Sequence, residues 1–431
     1  MSLLSLVRKE VAQQLISAKF AVMTLLVVLL ALVSVVVMHR DYQLRLENYE
    51  LLRPTENDTV AIKPPAPMSV LVRGLDERMG RSMTVETVGS IDVGSSQSAA
   101  NRLFALFREL DMQYVALVIL SLAAVLFSFD MVSGEKQRGT LKLVLANGVS
   151  RARVLLAKWL GALIAVAIPS AVAVLVSLLY LRFGTGMAMD GDFFLRTTVF
   201  FVLLLLFLAA FVGVGLLISC LTHRPALSLV FAMLAWGLLV FVVPNAAAMA
   251  GGIIVGGESL AQKEVKVRQI WTSEVFKAIN DPRSGTEGFN PWDETYRRTA
   301  QRLAGEYRDY INLAAARVGW AKALSRLSPA GPFSFASWSA AGTSPEDALR
   351  FKRDVVRYQA YAIEDARILR SIARGFRGAP EEFEARAFED HPRSLADAIS
   401  EEIIPEAGVL AGMAMLLFAA GFFAFARYDV R

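Results

Sequence analysis

Charged side chains within residues 127–161 are the part of this sequence whose types and spacing point to chemistry. The stretch reads FSFDMVSGEKQRGTLKLVLANGVSRARVLLAKWLG and lies between two apolar runs. Acids and bases this close together suit ion pairing and the docking of a partner rather than bond-breaking chemistry. Such a loop cannot lie in hydrocarbon, so we expect it at a membrane surface, and its positive excess indicates the cytoplasmic surface.

Local rules predict a short helix within this loop. Ser133 is a candidate N-cap, and Glu135 in the first turn would suit the helix dipole. Leu141, Val144 and Leu145 have helical spacing and would form one apolar stripe. The stripe belongs either in the bilayer interface or in the groove of a partner, and both alternatives remain open.

Signatures of catalysis and metal binding are absent from the sequence. There is no GxxxxGK[ST] phosphate loop and no nucleophile elbow. The three histidines are far apart, and the one cysteine, Cys220, has no partner for a Cys/His metal site. We therefore predict that the chain is not an enzyme and holds no cofactor or metal of its own.

Composition places the chain among membrane proteins. Of its 431 residues 55% are hydrophobic, the mean hydropathy is +0.45, and the apolar residues collect in long runs. The net charge of +5 lies largely on loops beside these runs, where retention in the cytoplasm explains it better than binding of nucleic acid.

Six apolar runs are long enough to cross a bilayer as helices. They are residues 20–38, 112–132, 155–181, 197–220, 226–249 and 407–426. The fold class predicted is an all-α polytopic membrane protein with six transmembrane helices. Cytoplasmic parts would be an amphipathic interface helix over 1–19, the loop 133–154 and the tail 427–431. The other side would carry a small mixed lobe over 39–111 and a mostly helical extracytoplasmic domain over 250–406.

Helical spacing recurs within the predicted extracytoplasmic domain. We predict helices over residues 264–279, 294–327, 345–377 and 380–402. Ser344 followed by Pro345 is typical of a helix start, with the serine as N-cap. In the lobe, short runs of alternating character suggest either a few small strands or an irregular structure.

The interiors of the predicted spans carry no ionisable residue near their centres. Ion-coupled carriers usually keep such groups at mid-membrane, so energy for any transport should come from outside the chain. Gly408 and Gly412 form a GxxxG pair in the last span, which would allow close helix contact within the subunit or at a dimer seam.

One family resemblance covers most of the chain. FDMVSGEKQRGTL, residues 129–141, resembles the cytoplasmic loop of permease subunits of type-two ABC exporters. LVRKEVAQQLISAKF near the N-terminus is similar to the amphipathic interface helix of that family. LSRLSPAGPFSFAS, residues 324–337, resembles a segment in a subgroup with a large extracytoplasmic insert between the fifth and sixth spans.

The resemblance implies which residues couple to an ATPase. In the loop these are Asp130, Ser133, Glu135, Lys136, Arg138, Gly139, Thr140 and Leu141. On the interface helix they are Arg8, Lys9 and Glu10. The family implies two copies of a separate ABC ATPase, which would bind ATP and magnesium, and a second permease, identical or related.

The expected function is that of a permease subunit in a bacterial inner membrane, with both termini cytoplasmic. It would couple ATP hydrolysis in the partner to export of an amphiphilic or lipid-linked cargo, or to mechanical work on an envelope or lipoprotein partner. The alternative is a membrane scaffold or sensor with a ligand-binding extracytoplasmic domain. A third possibility, an enzyme domain on a membrane anchor, would require a polar cleft with convergent acids or bases in 250–406.

Overall fold

The computed structural model describes residues 2–52, 60–75, 79, 82–85, 91–94, 110–141, 149–257, 260–283, 291–373, 383–384 and 386–427. This part of the chain is almost entirely helical. It contains six helices that are long and apolar enough to cross a membrane, so the predicted fold class is confirmed.

We number these helices span 1 to span 6. They run Ala18–Leu51, Met112–Arg138, Arg151–Gly184, Gly191–Leu221, Pro225–Val255 and Leu395–Ala426. The helix of span 1 continues to Leu52. Four spans contain wider π-helical turns, at Val115–Leu120, Tyr180–Gly184, Leu238–Val242 and Ile399–Ile403. Each helix extends beyond the apolar run that predicted it.

Spans 2 and 4 form the centre of the bundle. In each, 67% of the most apolar window is buried, against 17% in span 5. Phe207 of span 4 stacks on Phe333 with ring centroids 4.4 Å apart. Phe333 belongs to the buried helix Ala330–Ala341, which the sequence analysis did not predict. The core therefore continues from the spans into the region between spans 5 and 6.

The two ends of the bundle carry different structures. One end, which we call the loop end, holds the N-terminal helix Leu3–Leu15 and the loop helix Ser133–Arg138. The opposite, domain end holds the lobe and the helical domain. In the lobe, the 3₁₀ turn Pro67–Val70 packs on span 4.

The lobe contains a small antiparallel sheet, one of the two structures that the alternating runs suggested. Strands β1 (Val60–Ile62), β2 (Ser82–Val85) and β3 (Ile91–Gly94) lie in the order β1-β2-β3. Val60 pairs with Thr84, and Met83 pairs with Val93.

The helical domain consists of Leu260–Ile279, Pro291–Ser325, Ala330–Ala341 and Pro345–Ala373. Ser344 caps the last of these, since its Oγ accepts from the Asp347 N–H at 3.2 Å, which confirms the predicted helix start. The helix predicted over 380–402 is wrong over 383–384 and 386–394, whereas residues 395–402 are helical as predicted. Residues 386–394 are not helical, and the helix of span 6 begins only at Leu395, three residues after Pro392.

Candidate functional site

A buried lysine joins the two predicted coupling segments at the loop end. Lys158 Nζ lies 2.7 Å from Glu135 Oε1 of the loop helix and 3.3 Å from Glu10 Oε1 of the N-terminal helix. The lysine side chain is 3% exposed, and the two carboxylate side chains are 14% and 11% exposed. Because a buried charge is costly without its partner, these side chains hold one another in place. We call them the Lys158 cluster.

Close helix contact brings Glu10 to this lysine. The N-terminal helix begins at an N-cap, where Ser2 Oγ accepts from the Ser5 N–H at 3.3 Å, and it buries Leu6 and Glu10. A methyl group at Gly161 of span 3 would lie 2.7 Å from Glu10 Cβ. The N-terminal helix can therefore approach span 3 this closely only because residue 161 is glycine.

The loop helix is anchored on the end of span 4. Ser219 Oγ accepts from the Ser133 N–H at 3.0 Å. Lys136 Nζ donates to the carbonyl oxygen of Cys220 and to that of Thr222, the latter at 3.1 Å. The first N–H groups and the last carbonyl groups of helices lack partners within their own helix. Here the side chains of Ser219 and Lys136 bond to groups at both helix ends and fix the loop helix to span 4.

Contacts from the last turns of span 2 hold the N-terminal helix and the start of span 1. Gln14 Nε2 donates to the Phe127 carbonyl oxygen at 3.1 Å. Lys19 Nζ lies 3.1 Å from Asp130 Oδ2, and both side chains are more than a third exposed. An exposed ion pair contributes only about 0–1 kcal/mol, so Asp130 adds orientation more than stability.

The predicted helix cap at Ser133 is wrong. Ser133 is the first residue of the loop helix, and its hydroxyl donates to the Phe129 carbonyl oxygen at 3.1 Å. The chain enters the loop helix from the last turns of span 2, so the hydroxyl bonds backward. Glu135 does lie in the first turn, as predicted. The helix ends at Gly139, whose φ of +71° is a left-handed conformation that favours glycine.

The other predicted coupling residues are either buried in the bundle or exposed to solvent. Leu141 is buried in the bundle core. An exposed group, which we call the basic surface, consists of Arg8, Lys9, Arg138, Gly139 and Thr140. The predicted set therefore contains an inner part that fixes the loop and an outer part that a partner could reach.

Two other predicted features, the apolar stripe and the glycine pair of the last span, are not part of this site. Val144 and Leu145 of the predicted stripe lie in residues 142–148, outside the described residues, as do residues 428–431 of the tail. A side-chain carbon at Gly408 or Gly412 would meet nothing within 4 Å in the described chain outside its own helix. This glycine pair therefore faces away from the neighbouring spans of its own subunit.

A second ionic group links the first turns of span 6 to the helical domain. Glu402 accepts from Lys322 Nζ at 2.6 Å and from an Arg393 N–H at 2.9 Å. Glu406 accepts from Arg326 at 2.5 Å. Both carboxylate side chains are at most 5% exposed. We call these five residues the domain cluster.

Glu346 lies beside the domain cluster. Its Oε1 is 4.0 Å from Lys322 Nζ. Burial, followed by the charge of the Glu402 carboxylate, raises the pKa of Glu346 from 4.5 to about 7. The domain end therefore carries a carboxyl group that titrates near neutral pH.

Comparison with protein families gives the chain its context. The family model described as ABC-2 family transporter protein matches residues 4–430. The chain belongs to the ABC-2 transporter family. Comparison with curated proteins found no match. The ABC-2 permease is a multi-pass membrane subunit, and ATP hydrolysis in this family lies in a partner ABC ATPase. Such permeases usually work as dimers.

The structure of the ABC-2 permease also shows residues that the sequence analysis missed. Neither Lys158, one of the cations in residues 127–161, nor Ser219 is singled out by the sequence motifs. The available signal was the position of Lys158 inside the apolar string LLAKWLG, since a lysine within an apolar helix usually has a partner. Among the described residues, no three His, Cys, Asp or Glu side chains could hold a metal ion.

Proposed function

We propose that a separate ABC ATPase drives this permease by binding the basic surface on the cytoplasmic side of a bacterial inner membrane. The observation that carries the proposal is the Lys158 cluster. Glu135 and Glu10 come from the two segments that the ATPase would contact, and both pair with a lysine of span 3. A displacement of either segment would therefore move span 3.

The exposed cations suit a partner with acidic side chains. Arg138 projects from the loop helix, while Arg8 and Lys9 project from the N-terminal helix beside buried Glu10. Two permeases, identical or related, would bind two ATPase subunits, and closure of the ATPases around ATP would favour one arrangement of the spans. The apolar interiors of the spans favour an amphiphilic or lipid-linked cargo.

A second candidate function is mechanical work on an envelope partner, and the domain cluster favours it. Span 6 is bound to the helical domain through two buried glutamates and three cations from other segments. Tilting of span 6 would therefore move the helical domain. In this case the domain, rather than a pathway between the spans, would deliver the output.

Co-purification tests the ATPase proposal. A tagged wild-type permease expressed in its own cell should retain an ABC ATPase, and Arg138→Glu should reduce the recovered ATPase at least about ten-fold, because it reverses a charge on the basic surface. Arg268→Glu is the matched control, since Arg268 is an exposed arginine in the helical domain. Glu135→Ala should leave the ATPase bound but uncouple its hydrolysis of ATP from the permease.

Two results would contradict this assignment. One is recovery of no ABC ATPase with the wild-type permease, which would favour the scaffold or sensor. The other is equal recovery with Arg138→Glu and Arg268→Glu, which would show that the partner binds elsewhere.

A further inference from the structure

A cavity of about 400 Å³ lies at the domain end, beside the domain cluster. Separate parts of the chain form its walls: segment 63–68 of the lobe, residues 190–196 at the start of span 4, the start of helix Pro345–Ala373, and residues 390–393. Small-molecule sites commonly have volumes of about 300–1,000 Å³. The cavity is thus large enough for a ligand of moderate size.

One wall of the cavity is apolar and rigid. Pro64, Pro65 and Pro67 line it together with Phe193 and Phe351. Proline has a fixed φ and no N–H group, so this wall offers methylene surface and no backbone donors at three positions. Both phenylalanine side chains are otherwise packed in the core, which fixes the wall from behind. An alkyl chain suits such a surface.

Asp190, Asp192 and Asp347 of the lining each bond to a neighbouring residue of the protein. Asp190 accepts from the backbone N–H of Phe193 at 2.8 Å. Asp192 pairs with Arg196 at 2.5 Å. Asp347 pairs with Arg393 at 3.1 Å. The two ion pairs neutralise Arg196 and Arg393 of the lining.

Arg350 of the lining has donors left for a ligand. Among the described residues its guanidinium group makes no hydrogen bond, and the acid within ion-pair distance is Glu401, at 3.7 Å. Its five N–H donors form a planar fork that matches the oxygens of phosphate. Lys63 lines the same cavity, buried, with Nζ 3.5 Å from the Gly342 carbonyl oxygen. Arg350 therefore favours an anionic group in the cavity.

The cavity borders an exposed apolar part of span 4. Phe193 lines it, while the next residues, Phe194 and Leu195, are exposed on the surface of the span. Span 4 begins at Gly191, so these residues lie at the end of a helix that is long enough to cross the bilayer. An amphiphile could therefore place its head in the cavity at the depth where lipid head groups lie.

We propose that this cavity binds an amphiphile with a phosphate head group. Arg350 holds the phosphate, and the proline wall holds the first methylenes of the chain. The proposal deepens the proposed function, on which it rests for the ligand's role as cargo, because it names the chemistry of that cargo. A membrane phospholipid and a soluble phosphate ester share this chemistry.

Binding to the purified full-length permease, without any ATPase, tests the site. Equilibrium dialysis in neutral detergent would use radiolabelled hexyl phosphate, with hexanol as the uncharged probe. Native mass spectrometry after reconstitution with phosphatidylglycerol would report retained lipid. Arg350→Gln should weaken binding of the charged probe about ten-fold or more, as loss of hydrogen bonds to a charged group requires.

Matched variants separate recognition from general damage to the fold. Arg357→Gln changes an arginine of the same helix that pairs with Asp354 at 3.5 Å and does not line the cavity, so it should bind like the wild type. Glu401→Gln removes the carboxylate that competes for Arg350 and should strengthen binding.

The outcomes are distinct. Arg350-dependent retention of phosphatidylglycerol supports the site with a lipid as ligand, and Arg350-dependent binding of hexyl phosphate alone supports it with a soluble ester. Equal binding of hexyl phosphate and hexanol, or equal binding by wild type and Arg350→Gln, would overturn the proposal. The binding assay contains no ATPase. Its failure can therefore be distinguished from a failure of the ATPase to co-purify with the permease.

Discussion

Replacing Lys158 with methionine would leave two buried carboxylates without their shared cation. At an effective dielectric constant of about 20, unit charges 2.7 Å and 3.3 Å apart attract by about 6 and about 5 kcal/mol. Desolvation offsets much of this attraction, and removal of one partner from a buried pair typically costs about 3–5 kcal/mol. We expect Lys158→Met to lower the free energy of unfolding by that amount.

The measurement is equilibrium unfolding of the permease in mixed micelles with a rising mole fraction of dodecyl sulfate, followed by tryptophan fluorescence. The control is the triple variant Lys158→Met, Glu10→Gln, Glu135→Gln, which removes the charges together and should recover most of the lost stability. A free energy within about 1 kcal/mol of wild type for Lys158→Met alone would refute the burial and pairing of the cluster.

Three further predictions concern other contacts. Gly161→Leu should separate the N-terminal helix from span 3, because a β-carbon already meets Glu10 at 2.7 Å, and crosslinking between cysteines placed on the two helices should fall. Glu346→Gln should raise the melting temperature at pH 8 but hardly at pH 5. A carboxyl pKa raised to about 7 means that the folded state gives up stability as pH rises from 4.5 through 7, and glutamine avoids that loss. Arg326→Gln should lower the melting temperature because Glu406, 0% exposed, loses its closest cation, whereas a surface arginine change such as Arg357→Gln should not.

The sequence predicted the spans because a continuous apolar run of bilayer length satisfies its backbone hydrogen bonds in lipid by forming a helix. It also predicted the start of helix Pro345–Ala373, since a serine cap and a proline at the first position act locally. Helix Ala330–Ala341 was missed, because its buried small and aromatic residues show no single apolar face that periodicity could reveal.

Contacts between distant segments were beyond prediction from this single sequence. Lys158 and Glu10 are 148 residues apart, and Lys322 and Glu402 are 80 residues apart. Periodicity identifies a helix and its apolar face but does not say which helix that face meets. The resemblance placed Glu135 and Glu10 in one functional group, while only the packing of span 3 shows the lysine that connects them.

Span 6 makes polar contacts at both ends of the bundle. At the loop end, an Arg151 N–H of span 3 donates to the carbonyl oxygen of Ala426 at 2.6 Å. At the domain end, the glutamates in its first turns are bound by cations of the helical domain. Its 32 residues form a helix about 48 Å long between these two attachments. A helix held by polar contacts at both ends can pass a displacement of span 3 to the helical domain, as the second candidate function proposes.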